Sequence, residues 1–260
     1  MDLDGTLLQR DGSVLPSDLA ALRAASARGV AVVIATARPP RAVPASLTGF
    51  NFPVIHYNGA LILGPGGMSR PPLLHRPLDA ETAAEVARLA RSLEPGCSLD
   101  AEVLDAWHTD RVNPQLTTAT SAVSVPDRVA PLGELFDRPV TKLMVLDEPA
   151  RITRLIGALR AEPGLTGRAR VVVSDAHLLQ VVHPEVDKAA AVAWVAARLG
   201  LGSAGVDAIG DAPNDADMLA AAARSVAVGD GWAEAKAAAR EVGPVLSQGP
   251  VGWAVRRWYA

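Results

Sequence analysis

Apolar runs and amphipathic stretches alternate along the first part of the chain. Asp18 to Arg28 places Leu19, Leu22 and Ala25 on one face at helical spacing, with Ser17 in position to cap the start and Gly29 to end it. Val30 to Ala35 is then an unbroken apolar run with no alternation, the pattern of a strand covered on both faces of a parallel sheet. Pro39, Pro40 and Pro44 interrupt regular structure beyond that run. Pro53 to Tyr57 predicts another short strand, ended by the turn dipeptide Asn58-Gly59.

The pattern changes near residue 79. Asp79 to Leu93 predicts an amphipathic helix with Val86, Leu89, Ala90 and Leu93 inward, and residues 97 to 109 predict one or two strands. Residues 110 to 140 carry several Thr and Pro with little periodicity and are expected to be rich in loops. Thr141 to Asp147 predicts a strand, Pro149 to Ala161 a helix with Pro in its first turn, and Arg170–Ser174 with His177–His183 a hairpin. Helix-strand-strand thus occurs about twice between 79 and 183, as in a self-contained α+β insert.

Strand and helix alternate again after Pro184. Helices are expected at Asp187–Leu199, Pro213–Ala223, Trp232–Glu241 and Val251–Tyr259, and strands at Val206–Gly210 and Ser225–Val228. The fold expectation is therefore an α/β domain, residues 1–78 plus 184–260, interrupted by an α+β insert at 79–183. A length of 260 residues accommodates one large or two modest domains.

Composition narrows the class. Hydrophobic residues are 49% and charged residues 20% of the chain, enough to build a core. With 25 Lys plus Arg against 28 Asp plus Glu, no basic excess recommends a nucleic-acid partner. The longest strongly apolar stretch, Ala189 to Ala197, is far short of the ~20 residues that span a bilayer. Met1-Asp2-Leu3-Asp4 is not a leader pattern. The single cysteine, Cys97, excludes an internal disulfide. A cytoplasmic globular protein without a membrane or nucleic-acid partner is expected; composition does not decide the oligomeric state, and a monomer is compatible with it.

Aspartates concentrate where strands should end. Asp2-Leu3-Asp4-Gly5-Thr6 opens the chain, and Gly210-Asp211-Ala212-Pro213-Asn214-Asp215 follows a strand and opens a helix. Ligands of open α/β sheets bind beyond the carboxyl ends of strands. Carboxylates converging there would repel one another without a hard cation, and an all-oxygen donor set suits Mg²⁺. Thr36 stands just past the buried strand, where a hydroxyl and free N–H groups can hold a phosphate oxygen. Lys188 follows Asp187 at a helix start, where the helix dipole disfavours a cation, so an anionic partner is expected.

Taken in order, Asp-x-Asp-Gly-Thr, Thr36, Lys188 and Gly-Asp-x-x-Asn-Asp resemble the haloacid dehalogenase-like phosphohydrolase superfamily. Asn58-Gly59-Ala60, the insert between Thr36 and Lys188, and Ser225 to Gly229 resemble its Cof-type subfamily, which carries an α+β cap of class IIB. The resemblance implies a Rossmann-like parallel-sheet core with the insert as a substrate-choosing cap. It implies that Asp2 is the nucleophile, forming an aspartyl-phosphate, and that Asp4 is the general acid/base. Asp211, the Asp2 carboxylate and the Asp4 main-chain carbonyl would hold Mg²⁺, supported by Asn214 and Asp215. Thr36, Lys188 and Asn214 would hold phosphoryl oxygens.

Arg38 is read either as a contact to an anionic substrate or as a surface ion-pair partner, and Asn58 as a cleft or turn residue. Trp107 and His108 are read as packing residues of the insert, with substrate contact as the alternative. The implied activity is Mg²⁺-dependent hydrolysis of a small phosphorylated metabolite such as a sugar phosphate, nucleotide or phosphorylated cofactor. The alternatives are a phosphomutase, a dedicated sugar-phosphate phosphatase, and a catalytically poor phosphometabolite-binding or regulatory protein. Two departures stand out: Ala37 replaces the more usual Gly, and only Met1 precedes Asp2 where the family has an apolar strand. The second leads to the expectation that the natural chain starts with several further apolar residues.

Overall fold

The structure, a computed structural model, describes residues 1–47, 49–113, 115–116, 118, 124–202 and 205–259. Part of the segment expected to be loop-rich, at 114, 117 and 119–123, lies outside the described residues. In chain order the elements begin with α1 (Pro16–Ala27), β1 (Ile34–Ala35), β2 (Val54–His56), β3 (Leu61–Leu63), β4 (Leu74–His75), α2 (Ala80–Leu93), β5 (Ser98–Val103) and β6 (Ala106–Thr109). They continue with β7 (Arg128–Val129), α3 (Leu132–Leu135), β8 (Lys142–Leu146), α4 (Pro149–Ala161), β9 (Arg170–Asp175) and β10 (Leu178–Val182). The last are α5 (Lys188–Arg198), β11 (Asp207–Gly210), α6 (Ala216–Ala221), β12 (Arg224–Ala227), α7 (Ala233–Ala238), β13 (Glu241–Val242) and α8 (Pro250–Tyr259). No helix among the described residues is long and apolar enough to cross a membrane.

The chain divides into two compact units. The first comprises Met1–Ala37, Pro44–Arg70 and Asp187–Ala260; the second comprises Arg38–Val43 and Pro71–Val186.

In the first unit β1 and β2 pair in parallel, with Ile34 opposite Val54, and β3 adds antiparallel to β2. β11, β12 and β13 form a second parallel ladder. The backbone of Met1 and Asp2 bridges the two. The Met1 ammonium donates to the Val33 carbonyl at 2.9 Å, Ala35 N–H donates to Met1 O at 2.8 Å, and Asp2 N–H donates to Ile209 O at 3.0 Å. The strand expected over Val30–Ala35 is paired as a strand only at Ile34–Ala35. Beside Val30 and Val32 lies an apolar cavity of about 260 Å³, lined also by Val195, Ile209 and Trp258.

Local signals place most helix ends, with two corrections. Helix α1 starts at Pro16, whose fixed φ and missing N–H suit a first turn, so Leu15 rather than Ser17 is the cap residue. Asp18 is instead fully buried and accepts Gly252 N–H at 2.8 Å, tying α1 to the start of α8. The helix expected to reach Glu241 ends at Ala238, because Glu241–Val242 pairs with Val226–Ala227 as an edge strand.

The second unit is a six-stranded sheet in the order β7-β6-β5-β8-β10-β9. β5 and β8 pair antiparallel, with Asp100 opposite Met144 and Glu102 opposite Lys142; β10 pairs antiparallel with β8. Leu99, Ala101, Leu143, Val145, Leu179 and Val181 point to one face and share a core with Val86, Ala90, Ile152 and Leu155 of α2 and α4. Asp79 caps α2 by accepting Thr82 N–H at 2.8 Å. Leu93, expected inward, is exposed at the end of that helix.

Candidate active site

The bonds of Met1 and Asp2 to Val33, Ala35 and Ile209 bring three chain segments to one sheet edge. Asp2, Thr36 and Asp211 each stand just beyond a paired position there. The chain must turn sharply after Asp4. Gly5 supplies this at φ +75°, and Thr6, Leu7 and Leu8 N–H all donate to Leu3 O. A Cβ at Gly5 would lie 2.4 Å from Asp211 Oδ2, so the turn packs directly on that carboxylate. The turn also delivers Thr6, whose Oγ1 donates to Asp211 Oδ1 at 2.7 Å.

Lys188 enters from α5. Asp187 caps that helix by accepting Ala190 N–H at 2.6 Å, which sets the first helical residue in place. The Lys188 ammonium, 2% exposed, donates to Asp2 Oδ1 and to Asp215 Oδ1, each at 2.6 Å. The other Asp215 oxygen, Oδ2, accepts Asp211 N–H at 3.0 Å and Ala212 N–H at 3.1 Å. Carboxylate oxygens of Asp2, Asp211 and Asp215 lie within 4.8 Å of one another.

One ammonium thus faces three buried carboxyl groups. Burial works against the Lys188 charge, but Asp2 and Asp215 outweigh it and hold the ammonium above its ordinary range. Burial pushes Asp2 well up; Lys188 opposes this, and Asp215 and Asp211 add to it. Asp211 is pushed up to about 7 by burial, helped by repulsion from Asp215 and Asp4 and opposed by the Thr6 bond and Lys188. The carboxyl groups of the cluster outnumber the Lys188 ammonium that pairs with them, which is the electrostatic condition for a bound cation.

The donor set is all oxygen, which fits Mg²⁺. Asp215 is the least available ligand, because both its oxygens already accept bonds. Asp2 and Asp211 each have one oxygen engaged, by Lys188 and Thr6 respectively, and another to offer.

The remaining expected residues surround this cluster unevenly. Asp4 is exposed, and its backbone bridges to Leu8. Thr36 is fully buried; its N–H donates to Ile55 O, and its carbonyl accepts Asn58 N–H. Asn58 is buried in a left-handed conformation at φ 58°, and its Oδ1 accepts Asn214 Nδ2 at 2.9 Å. A backbone and side-chain chain of contacts therefore links Thr36, Asn58 and Asn214. Arg38 groups with the second unit, where its Nη1 donates to Ala42 O at 2.8 Å.

Thr6 had no role assigned from sequence. It stands in the opening motif, and its bond to Asp211 spans 205 positions, which local spacing does not reveal.

The sequence pattern of the haloacid dehalogenase-like hydrolases matches residues 1–255. The chain is 28% identical over 273 residues to the protein named "Putative phosphatase M6_Spy0533" of Streptococcus pyogenes serotype M6, covering 99% of this chain and 96% of the relative. It is 28% identical over 240 residues to an HMP-PP phosphatase of Yersinia pestis, covering 90% of this chain and 84% of the relative. Among solved structures, the HAD subclass IIB sugar phosphatase BT4131 superimposes with a TM-score of 0.84 at 19% identity, over 99% of this chain and 96% of that one.

Proposed function

Because the chain belongs to the haloacid dehalogenase-like hydrolases and is a phosphatase, we propose that it hydrolyses small phosphate monoesters through an aspartyl-phosphate on Asp2, with Mg²⁺ as cofactor. The observation that carries this reading is Lys188 held between Asp2 and Asp215 with Asp211 alongside.

Asp2 would attack phosphorus, forming the Asp2–phosphoryl bond as the bond to the leaving oxygen breaks. Asp4, exposed and two residues on, would give its proton to that oxygen. It would then take a proton from the water that cleaves the acyl phosphate, releasing inorganic phosphate and restoring Asp2. Lys188 and the Thr36 hydroxyl would bind the equatorial phosphoryl oxygens, and Asn214, held by Asn58, would orient the same group. Asp2, Asp211 and the Asp4 carbonyl would hold Mg²⁺, and Asp215 would set the Asp211 and Ala212 backbone behind it. When bound, the cation neutralises charge on the transferring phosphoryl group.

The substrate class is a small phosphorylated metabolite. Relatives named for HMP-PP and for sugar phosphates support that class without selecting within it. We read the second unit as the cap that selects the substrate. Hydrolysis of p-nitrophenyl phosphate with Mg²⁺ or with chelator tests the reading, together with acid-quench trapping of phosphoenzyme. Turnover that needs the metal and is lost in Asp2→Asn is expected; undiminished turnover by Asp2→Asn rejects Asp2 as the nucleophile.

A further inference from the structure

The turn between β2 and β3 carries more backbone strain than a hairpin needs. Tyr57, Asn58 and Gly59 follow one another at φ 52°, 58° and 113°. Among the described residues, Leu104 is the one other non-glycine residue at positive φ. Asn enters this region at small cost, whereas a bulky aromatic residue is an outlier there. Left-handed φ at Asn-Gly alone suffices to close a tight hairpin. The extra left-handed residue is Tyr57, which is fully buried. Such a conformation persists only where its surroundings over-determine it.

Those surroundings lead to three separate residues of the candidate site. Asn58 N–H donates to Thr36 O at 2.9 Å, beside the bond from Thr36 N–H to Ile55 O. Asn58 Oδ1 accepts Asn214 Nδ2 at 2.9 Å. Gly59 passes so close to α5 that a Cβ there would lie 2.7 Å from Asp187 O and 2.9 Å from Ala191 Cβ. Asp187 is the cap residue directly before Lys188, and its carbonyl accepts Ala191 N–H at 3.2 Å. Gly59 therefore abuts the first turn of the helix that presents the ammonium.

The strain has a geometric use. An ordinary negative φ at Tyr57 would rotate the rest of the turn about its N–Cα bond. The Asn58 side chain and the Gly59 backbone would then no longer face Asn214 and Asp187 together. Left-handed φ at three successive residues lets one short turn meet a strand end, a loop and a helix start.

We propose that Tyr57-Asn58-Gly59 is a positioning turn that holds Lys188, Thr36 and Asn214 in mutual register, with Asn58 and Gly59 as the positioning residues. They act through those three side chains and not on substrate. That the three bind one phosphoryl group rests on the phosphatase reading; their placement by the turn does not.

Placement is read by NMR on the full chain. The Lys188 ¹⁵Nζ signal is one of three lysine signals and is identified by Lys188→Met; the Asn214 side-chain amide is one of four and is identified by Asn214→Ala. Affinity for inorganic phosphate with Mg²⁺ and turnover of p-nitrophenyl phosphate are read on the same proteins. Asn58→Gly and Asn58→Ala both remove the amide, but only Gly keeps the left-handed backbone without strain. Asn58→Gly should therefore melt higher than Asn58→Ala, while both shift the Asn214 signal and weaken phosphate binding about tenfold, the scale of one lost hydrogen bond. Gly59→Ala should shift the Lys188 signal and lower kcat about tenfold or more. Gly200→Ala is the control at the far end of α5, where φ is +72° and a Cβ meets nothing within 4 Å. It should lose melting temperature with both signals, phosphate affinity and kcat unchanged.

Unmoved Asn214 and Lys188 signals in the turn variants overturn the proposal. So does a Gly200→Ala variant that moves the Lys188 signal as Gly59→Ala does, or phosphate affinity that follows melting temperature across the variants instead of the signals. Shifted signals with phosphate affinity and kcat at parental values would also overturn it, since register would then not matter to the site. Should Gly59→Ala not fold, the two Asn58 variants decide. A parent that neither binds phosphate nor turns over, with the signals shifting as expected, would reject the phosphatase reading and leave the placement by the turn standing.

Discussion

Lys188 and Asp2 meet at 2.6 Å although 186 positions separate them, and the same ammonium reaches Asp215. Lys188→Met leaves the carboxyl groups of Asp2, Asp211 and Asp215 without their counter-charge. Breaking a buried pair in this way costs about 3–5 kcal/mol. Urea denaturation in chelator should show a loss of that order, partly recovered by Mg²⁺ through binding to the folded state. Turnover should fall about a hundredfold or more. A variant as stable and as active as the parent would contradict the assigned geometry.

Gly5 and Gly12 separate backbone strain from crowding. Both have left-handed φ, +75° and +80°, but a Cβ at Gly5 would meet Asp211 Oδ2 at 2.4 Å, whereas at Gly12 it meets nothing within 4 Å. Both alanine variants should lose about 1 kcal/mol or more to strain. Only Gly5→Ala should also lose Mg²⁺ affinity, by about tenfold or more, since a single displaced ligand is costly. Calorimetric titration of the two variants makes the comparison; equal affinities would mean that Asp211 does not hold the metal.

Metal-free protein should lose stability as pH rises through the titration of Asp211. Its folded-state value, pushed up to about 7, exceeds its ordinary 3.8, so the folded state binds the proton more tightly than the unfolded chain does. This contribution is fully present below the ordinary value and disappears as pH rises to the folded one. Urea midpoints in chelator should therefore fall from about pH 4 and level off just above about pH 7. Asp211→Asn should flatten that slope, and Mg²⁺ should reduce it by favouring the ionised cluster. A slope identical in the parent and Asp211→Asn would remove Asp211 as its source.

Asp100 should behave as a residue kept at the expense of stability. Burial pushes it up to about 6, against the Trp107 and Thr109 bonds and with repulsion from Glu102 and Asp110; Lys142 stands on the neighbouring strand. Ionising it in the folded protein costs up to about 3 kcal/mol at pH values above that. Asp100→Asn should thus raise the melting temperature near pH 8 and give little gain near pH 5. Equal gains at both pH values would show that relief of the buried charge is not the cause.

Much of the candidate site's local setting was readable in the sequence. Asp187-Lys188 at a helix start, and Asp211 and Asp215 around Pro213 after an apolar strand, follow from caps, strand patterns and turn residues within a few positions. The β5 pattern was equally readable and pointed elsewhere. Ser98-Leu-Asp-Ala-Glu alternates as a half-exposed strand would, yet its polar side is buried. Val30–Val33 misled in the opposite sense: an apolar run predicts burial, and hydrogen-bonded pairing depends on a neighbour that the run does not specify.

The sequence alone determined which side chains lie on which face of each element and which residues stand at strand and helix ends, because those properties follow from backbone periods of 2 and 3.6 and from local hydrogen bonds. Tertiary structure decided what each face meets. It brought Thr6 to Asp211 across 205 positions, gave Asp215 its backbone donors, and covered the polar side of β5. The physical reason is that charge balance and burial are properties of a neighbourhood assembled from distant segments, and no local period encodes them.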